Sequence, residues 1–362
     1  MNFFRRRQYR KVIQQVLHES KHAWNMRADI AAPEDLQALV NADTELRMKQ
    51  KSHDESELDQ ALHKVAQFAA KVYPPRPFPR IRENVEIFAV AFAVAMAFRT
   101  YFIQPFKIPT GSMQPTLYGI TVQQQSAPQP MDKFPLNLLA LALRGEAYTE
   151  VTAKLSGQID THFAVDEEFF VFYVGGVPHK IRKGLAVYFS PGDYVAKGQL
   201  MASGRVSYGD HIFVDKVRYN FMRPKRGDVI VFSTDFINDP RIKTNTFYIK
   251  RLAVLPGEQV EIDPPYLVID GNRITEPYPF KRLLNDSGYN GYTLARTQPG
   301  QTTFLAEAGE TRQLAQDEFL PLGDNTSFSL DGRYFGPVKQ KSLVGPAFMV
   351  YWPFSKRWGT VH

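Results

Sequence analysis

Hydrophobic positions follow three different periods along the 362-residue chain. Up to residue 73, apolar side chains recur three and four apart: Val12, Ile13, Val16 and Leu17, then Leu58, Leu62, Val65, Phe68 and Ala69. That spacing predicts amphipathic helices over residues 1–73, and Ser52 with Glu55 predicts a capping box before the second run. YPPRPFPR, residues 73–80, carries four prolines and predicts a stiff extended linker, placed at 74–83. Next comes NVEIFAVAFAVAMAFRTYFI, residues 84–103, whose unbroken apolar stretch Ile87–Phe98 is 12 residues long. Runs of about 10–14 also fit core helices. Arg99 can snorkel, however, and Tyr101, Phe102 and Ile103 extend the apolar character to about 30 Å of helix, so a transmembrane helix is expected at 84–103.

Beyond residue 104 the period shortens to two. GDHIFVDKVRY, RGDVIVFS, GEQVEI and YLVIDGNRI read as strands, with Asp270-Gly271 as a hairpin turn. The region 104–362 is therefore expected to be mainly β, interrupted by an inserted stretch at 121–205 that is itself strand-rich. Within it LNLLALAL, residues 136–143, is too short to span a bilayer and reads as a buried turn of helix, with insertion into a membrane surface as the alternative.

Charge sharpens this picture only at the apolar segment. Forty-four Lys and Arg against 37 Asp and Glu leave +7, which suits anionic lipid and nucleic acid equally well. Lys71, Arg76, Arg80 and Arg82 precede the segment and only Lys107 closely follows it, which places the N-terminus in the cytoplasm. MNFFRRRQYRKVIQQ is basic but leads into no apolar core of a signal peptide, so no removable leader is expected there. Its arginines beside Phe3 and Phe4 leave an amphipathic lipid contact as a second reading of a solvated helix. Cysteine is absent, which excludes disulfides, thiolate metal sites and a cysteine nucleophile.

Candidate chemistry centres on PTGSMQPTL, residues 109–117. Ser112 sits between Gly111 and Met113, with Pro109 and Pro115 restricting the backbone on either side. A serine needs a base. No histidine stands in a triad-like signature, HExxH spacing is missing, and His162, His179 and His211 read as ordinary surface or core residues. Lysine can serve when burial lowers its pKa. In TFYIKRLAVLPGE, residues 246–258, a strand would put Tyr248, Lys250 and Leu252 on one face, with the amine of Lys250 among apolar neighbours. A solvated edge lysine is the competing reading of the same pattern.

PTGSMQPTL, RGDVIVF, FYIKRLAVLPGE and LGDNTSFSLDGRYFG together resemble, in order and character, the motif boxes of bacterial type I signal peptidases, membrane-anchored Ser/Lys endopeptidases. The likeness runs from about Asn84 to the C-terminus, broken at 121–205 and looser around 281–315. It implies a signal-peptidase-type antiparallel β catalytic domain, preceded by N-terminal helices and one transmembrane helix. By the same resemblance Ser112 is the nucleophile and Lys250 the general base. Thr110 stands where serine is common and would supply an oxyanion donor. Ser329 would orient the lysine, and Asp331 and Arg333 would form a structural pair. GDN at 323–325 and Asp228 read as structural. Gly332 departs from the frequent serine, which touches local support only. The implied substrates are secretory preproteins with small residues before the cleavage site, met at the bacterial inner membrane with the catalytic domain outside the cytoplasm. No cofactor, metal or nucleic acid is implied, and the partner of the insertion is unknown. Two other functions fit parts of the pattern: a self-cleaving Ser/Lys regulator, which lacks its helix-turn-helix here, and a non-catalytic membrane-tethered β domain.

Overall fold

The computed structural model describes residues 3–50, 54–74, 78–160, 164–165, 168–297 and 302–361. Ser52, His162 and linker residues Pro75, Arg76 and Pro77 lie outside the described residues. Two compact units emerge, Met1–Val94 and Ala95–His362.

Helices α1 (Phe3–Arg27), α2 (Pro33–Lys49) and α3 (Glu55–Val72) build the first unit. Pro33 opens α2, where its missing N–H is not needed. Asp54 caps α3 by accepting from the Ser56 N–H, with Glu55 and Glu57 in the first turn and Lys71 in the last, matching the helix dipole. Ile13, Leu39, Leu46, Leu58 and Val65 share one buried core, as their helical spacing requires.

The fourth helix, α4 (Pro79–Tyr101), corrects two expectations. Residues 79–83 are helical rather than extended linker, because proline is compatible with a helix's first turn. Among the described residues no helix is long and apolar enough to cross a membrane, so a transmembrane helix at 84–103 is not what the structure contains by that measure. Arg82, Glu83 and Glu86 on one side and Arg99 on the other confine the apolar stretch, and the helix ends before Phe102 and Ile103. Its apolar side chains are nonetheless exposed, Phe88 to 75% and Phe92 to 67%.

The second unit is mainly β, and its strand ladders are antiparallel, as the alternating pattern predicts. In chain order the principal strands are β1 (Ile103–Lys107), β2 (Thr121–Gln124), β3 (Glu146–Thr152), β4 (Phe169–Val174), β5 (Val177–Arg182), β6 (Leu200–Ser207) and β7 (His211–Asp215). They continue with β8 (Val229–Ser233), β9 (Phe247–Val254), β10 (Gln259–Asp263), β11 (Tyr266–Ile269), β12 (Glu318–Leu322), β13 (Val338–Lys339) and β14 (Leu343–Trp352). An eight-stranded sheet runs β1-β7-β14-β8-β9-β12-β13, with Gly359–Thr360 beside β14. β-Branched and aromatic residues fill its central strands, VIVFS in β8 and FYIKRLAV in β9, where they pack well on a pleated surface. The β10–β11 hairpin packs Val260, Ile262, Leu267 and Ile269 against Leu320 and Leu322 of β12.

Between β1 and β7 the chain makes a long excursion that closes on itself. Asp210 donates its N–H to Tyr118 O at 2.8 Å, Ile108 N–H donates to Asp210 O at 2.9 Å, and Thr121 pairs with Ser207 at the foot of the β2–β6 ladder. The LNLLALAL segment forms α5 (Leu136–Leu139), which runs into a wider π-type turn, Ala140–Arg144. It is not the buried turn expected: of residues 136–144 only Ala140 is buried. The reason is that this turn is held through its backbone, Trp352 Nε1 donating to Ala142 O and Phe354 N–H to Leu143 O, which leaves the leucine side chains outward.

Candidate active site

Ser112 lies in the loop that follows edge strand β1. Two of its neighbours fix that loop. Met113 and Leu117 are fully buried and pack with Ile108, Ile212, Val214, Val229 and Val231. Inside the loop, Gln114 N–H donates to Gly111 O and Leu117 N–H to Met113 O, closing a tight turn around the serine. Gly119 lets the departing chain pass against it, since a Cβ there would lie 2.3 Å from Thr110 O.

Lys250 comes from the middle of β9, opposite Ile230 of β8. Its Nζ is 3.0 Å from Ser112 Oγ, 2.9 Å from Ile249 O and 5.4 Å from the centre of the Tyr248 ring. The lysine is buried, so the solvated-edge reading does not hold. Burial pushes its pKa down to about 8 from the ordinary 10.5, against the upward pull of the Asp331 and Asp324 carboxylates. About half of this amine is therefore unprotonated near pH 8, the state a base requires.

Thr110 is exposed and holds Oγ1 3.4 Å from Ser112 Oγ, on the same loop. Asp331 and Arg333 are both buried and form a two-pronged pair, Arg333 Nε donating to Asp331 Oδ1 at 2.8 Å and Nη2 to Oδ2 at 2.9 Å. Asp331 also accepts from Gly323 N–H, and Arg333 donates to Thr293 O, Thr326 O and Ser329 O, so the pair ties the 323–333 loop to itself. Ser329 is brought to the site, because Gly323 packs so closely that a Cβ there would lie 2.0 Å from Ser329 Oγ and 2.8 Å from Ser112 O. The hydrogen bond from Ser329 to Lys250 implied by the resemblance is not formed. Ser329 Oγ is buried without a hydrogen-bond partner, while the lysine's bonds go to Ser112 and Ile249.

Sequence reasoning missed a second set of residues. Arg251, next to the lysine, is fully buried and donates through Nε and Nη2 to Asp324 Oδ1 and Oδ2, through Nη2 to Thr116 Oγ1 and through Nη1 to Gly227 O. Thr116 donates to Asp324, Asn325 N–H to Ser112 O at 3.0 Å, and Asn325 Nδ2 to Gly111 O at 3.2 Å. The GDN turn is thus also a clasp on the Ser112 loop. A signal was available: an arginine in the interior of an apolar strand has to find a carboxylate. His179 is buried and structural, its Nε2 accepting from Lys154 N–H, and His211 stacks edge-on against Trp352. Among the described residues no group of three or more His, Asp or Glu could hold a metal ion.

This geometry can be set beside known proteins. Residues 186–352 match the family described as signal peptidase, peptidase S26, a span that includes Lys250, Asp324, Ser329, Asp331 and Arg333 but not Ser112. A signal peptidase I of Bacillus caldolyticus is 32% identical over 167 residues, covering 45% of this chain and 81% of that protein. The chain belongs to the type I signal peptidase family. A signal peptidase I of Leptolyngbya laminosa is 27% identical over 182 residues, covering 50% of this chain and 78% of that protein. A crystal structure of a signal peptidase I from Enterococcus faecalis V583 aligns at 33% identity with a TM-score of 0.26, over 34% of this chain and 97% of that one. Membership makes this chain a serine endopeptidase of the class that removes signal peptides, and sets aside the regulator and the non-catalytic β domain.

Proposed function

We propose that Ser112 is the nucleophile of this signal peptidase and Lys250 its general base. The observation that carries the assignment is the 3.0 Å approach of a buried amine to a serine hydroxyl across 138 positions of sequence. Unprotonated Lys250 takes the Ser112 proton as Oγ attacks the scissile carbonyl. The resulting oxyanion receives hydrogen bonds from the Ser112 N–H and Thr110 Oγ1. Protonated Lys250 then donates to the leaving amine, which releases the mature chain. The same amine next activates the water that hydrolyses the acyl-enzyme. Asp331 and Arg333 hold the 323–333 loop, and Ser329 reaches the lysine when the amine turns from Ile249 O.

The substrate, a secretory preprotein with small residues before the cut, lies extended along the free edge of β1. That strand is terminal in its sheet and leads directly into the nucleophile loop, so an added strand would carry its peptide bond toward Ser112. Backbone pairing with such an edge would supply affinity, and pockets for alternate side chains would supply the selection for small residues. The domain plan proposed is a helical cytoplasmic region, 1–73, a linker, a bilayer-embedded segment within 84–103, and an extracytoplasmic catalytic region, 104–362, with an insertion at 121–205. Support for embedding comes from α4, whose apolar side chains from Val85 to Phe98 are exposed, a pattern that water does not favour in a helix. From Ile103 to Ser112 the chain extends at most about 32 Å, which keeps the nucleophile near that surface.

Incubation of the purified chain with a preprotein, followed by analysis of the released mature N-terminus, tests the assignment. Wild type should release it, and Ser112→Ala and Lys250→Ala should not. Retained cleavage by either variant rejects the pair.

A further inference from the structure

Where the long excursion between β1 and β7 leaves and rejoins the sheet, the chain holds a polar cavity of about 390 Å³. Its floor is one face of the β2–β6–β3 sheet. Thr121, Ser207 and Glu146 stand in a row across the three strands, and Gln123 and Arg205 stand in the next. Side chains alternate along a strand, so the opposite face of the same strands carries Val122 and Val206 into the excursion's own core. Tyr118 and Arg357 complete the lining, with the guanidinium 4.1 Å from the centre of the tyrosine ring. One buried residue fixes this wall to the site. The Asp210 carboxylate accepts from Tyr118 N–H at 2.7 Å and from Arg357 Nε and Nη2 at 2.7 and 2.9 Å, while its backbone bonds to Ile108 N–H and Tyr118 O. Ile108 opens the Ser112 loop and Tyr118 closes it, so cavity and serine share one frame.

We infer that this cavity is a mature-side subsite, a polar trough that takes the first residues of the chain released from the preprotein. The inference rests on the proposed path of the substrate along β1 and extends that path beyond the cut. Direction comes from the bilayer. A signal peptide stays in the membrane and the chain itself passes from α4 into β1, so a substrate strand entering from the same side runs from Ile103 toward Lys107. Past the scissile bond it continues with the Ser112 loop toward Tyr118. Reach agrees with this: Tyr118 is six positions beyond Ser112, at most about 21 Å of chain, which an extended peptide covers in about six residues. Chemistry selects a polypeptide over a simple ion. Arg205 is paired with Asp132 and Glu146, and Arg357 with Asp210, so neither sign of charge dominates. The hydroxyls of Thr121 and Ser207, the Gln123 amide and Arg357 Nη1 bond to nothing else among the described residues. Donors and acceptors mixed in this way match a peptide backbone with small polar side chains. A leucine there would leave those groups unpaired, and sites built to hydrogen-bond discriminate strongly against such a loss.

Preprotein peptides that share one signal sequence and end two, four, six or eight residues after the cut provide the test. Wild type should cleave the longer ones with a severalfold lower KM at similar kcat, and leucine at one of the third to sixth mature positions should raise KM again. Gln123→Trp, at an exposed strand position that accepts aromatics, fills the cavity and should make KM indifferent to length. A wild-type KM that ignores both length and leucine overturns the inference, and so does a length effect that survives in Gln123→Trp. Because the chain has no cysteine, placement can also be read directly. In a Ser112→Ala background, Gln123→Cys should crosslink through a short bismaleimide to a cysteine at the third to sixth mature position and to none on the signal side. Exposed Lys180→Cys should capture neither. Capture of the signal side at 123 would run the substrate the other way and reject the site, as would equal capture at 123 and 180 or none at 123. That arm decides the matter even if the tryptophan variant fails to fold. If Ser112→Ala still cleaves, the catalytic assignment fails, while the crosslinked positions continue to decide the subsite.

Discussion

Arg251 and Asp324, neither with any side-chain exposure, meet through two hydrogen bonds of 2.8 and 2.7 Å. Arg251 follows the proposed base in β9, and Asp324 belongs to the turn that grips Gly111 and Ser112 through Asn325. The pair contacts neither Lys250 Nζ nor Ser112 Oγ, yet it links the strand that carries the amine to the turn that holds the Ser112 loop.

Asp324→Asn leaves a buried guanidinium without its counter-charge, a change that typically costs about 3–5 kcal/mol. Urea unfolding should register a loss of that order, and cleavage should fall with it. Replacing both partners, Arg251→Met/Asp324→Leu, should recover much of the stability and little of the rate, because the apolar pair cannot hold Thr116. Full recovery of the rate would reduce the pair to packing.

Lys250, depressed to about 8 by burial, should give cleavage that rises with pH and levels off above about 8, since only the neutral amine is a base. The stability effect has its own sign. The folded chain binds this proton less tightly than the unfolded chain, so the cost of the buried ammonium is full below about 8 and fades as pH climbs toward 10.5. Lys250→Met should therefore gain up to about 3 kcal/mol at pH 7 and progressively less toward pH 10. Denaturant titrations at the two pH values provide the comparison, and a gain independent of pH would contradict burial as the cause.

Ser329→Ala removes a buried hydroxyl that has no partner in this structure, so stability should hold or rise slightly. If Ser329 reaches the lysine during turnover, kcat should still drop about tenfold, the scale of one hydrogen bond to a charged group. Measured together, an unchanged Tm with lower kcat supports orientation of the base, whereas unchanged kcat makes the serine a bystander.

Thr110 is exposed beside Ser112, the proposed nucleophile, so Thr110→Val should leave the fold intact. Loss of one oxyanion donor typically costs about 2.7–4 kcal/mol in the barrier, which slows cleavage roughly a hundredfold or more. Thr110→Ser should restore most of it. Near-normal turnover by the valine variant would leave oxyanion stabilisation to the backbone.

Local pattern carried much of the site. The two-residue period of FYIKRLAV put Lys250 beside Tyr248 before any contact was known, and the proline-flanked loop marked Ser112 as held. What escaped was set by long-range contacts. Arg251 and Asp324 are 73 positions apart, and no short window of sequence pairs them. LNLLALAL reads as core by composition, and it is exposed because Trp352, 210 positions away, fastens its backbone from the side. Pro79 reads as a helix breaker and instead starts α4, since proline is harmless in a first turn. The orientation of Ser329 depends on one side-chain rotamer, which sequence does not encode.

Asp210 closes the base of the β2-to-β6 arm, its N–H donating to Tyr118 O and its carboxylate accepting from Tyr118 N–H, while Trp352 and Phe354 fasten the arm from the side. The arm thus leaves and rejoins the chain at one base, between the loop that bears Ser112 and the strand β7. A short bridge grafted across that base would yield a smaller protease, and the arm becomes a cassette open to redesign.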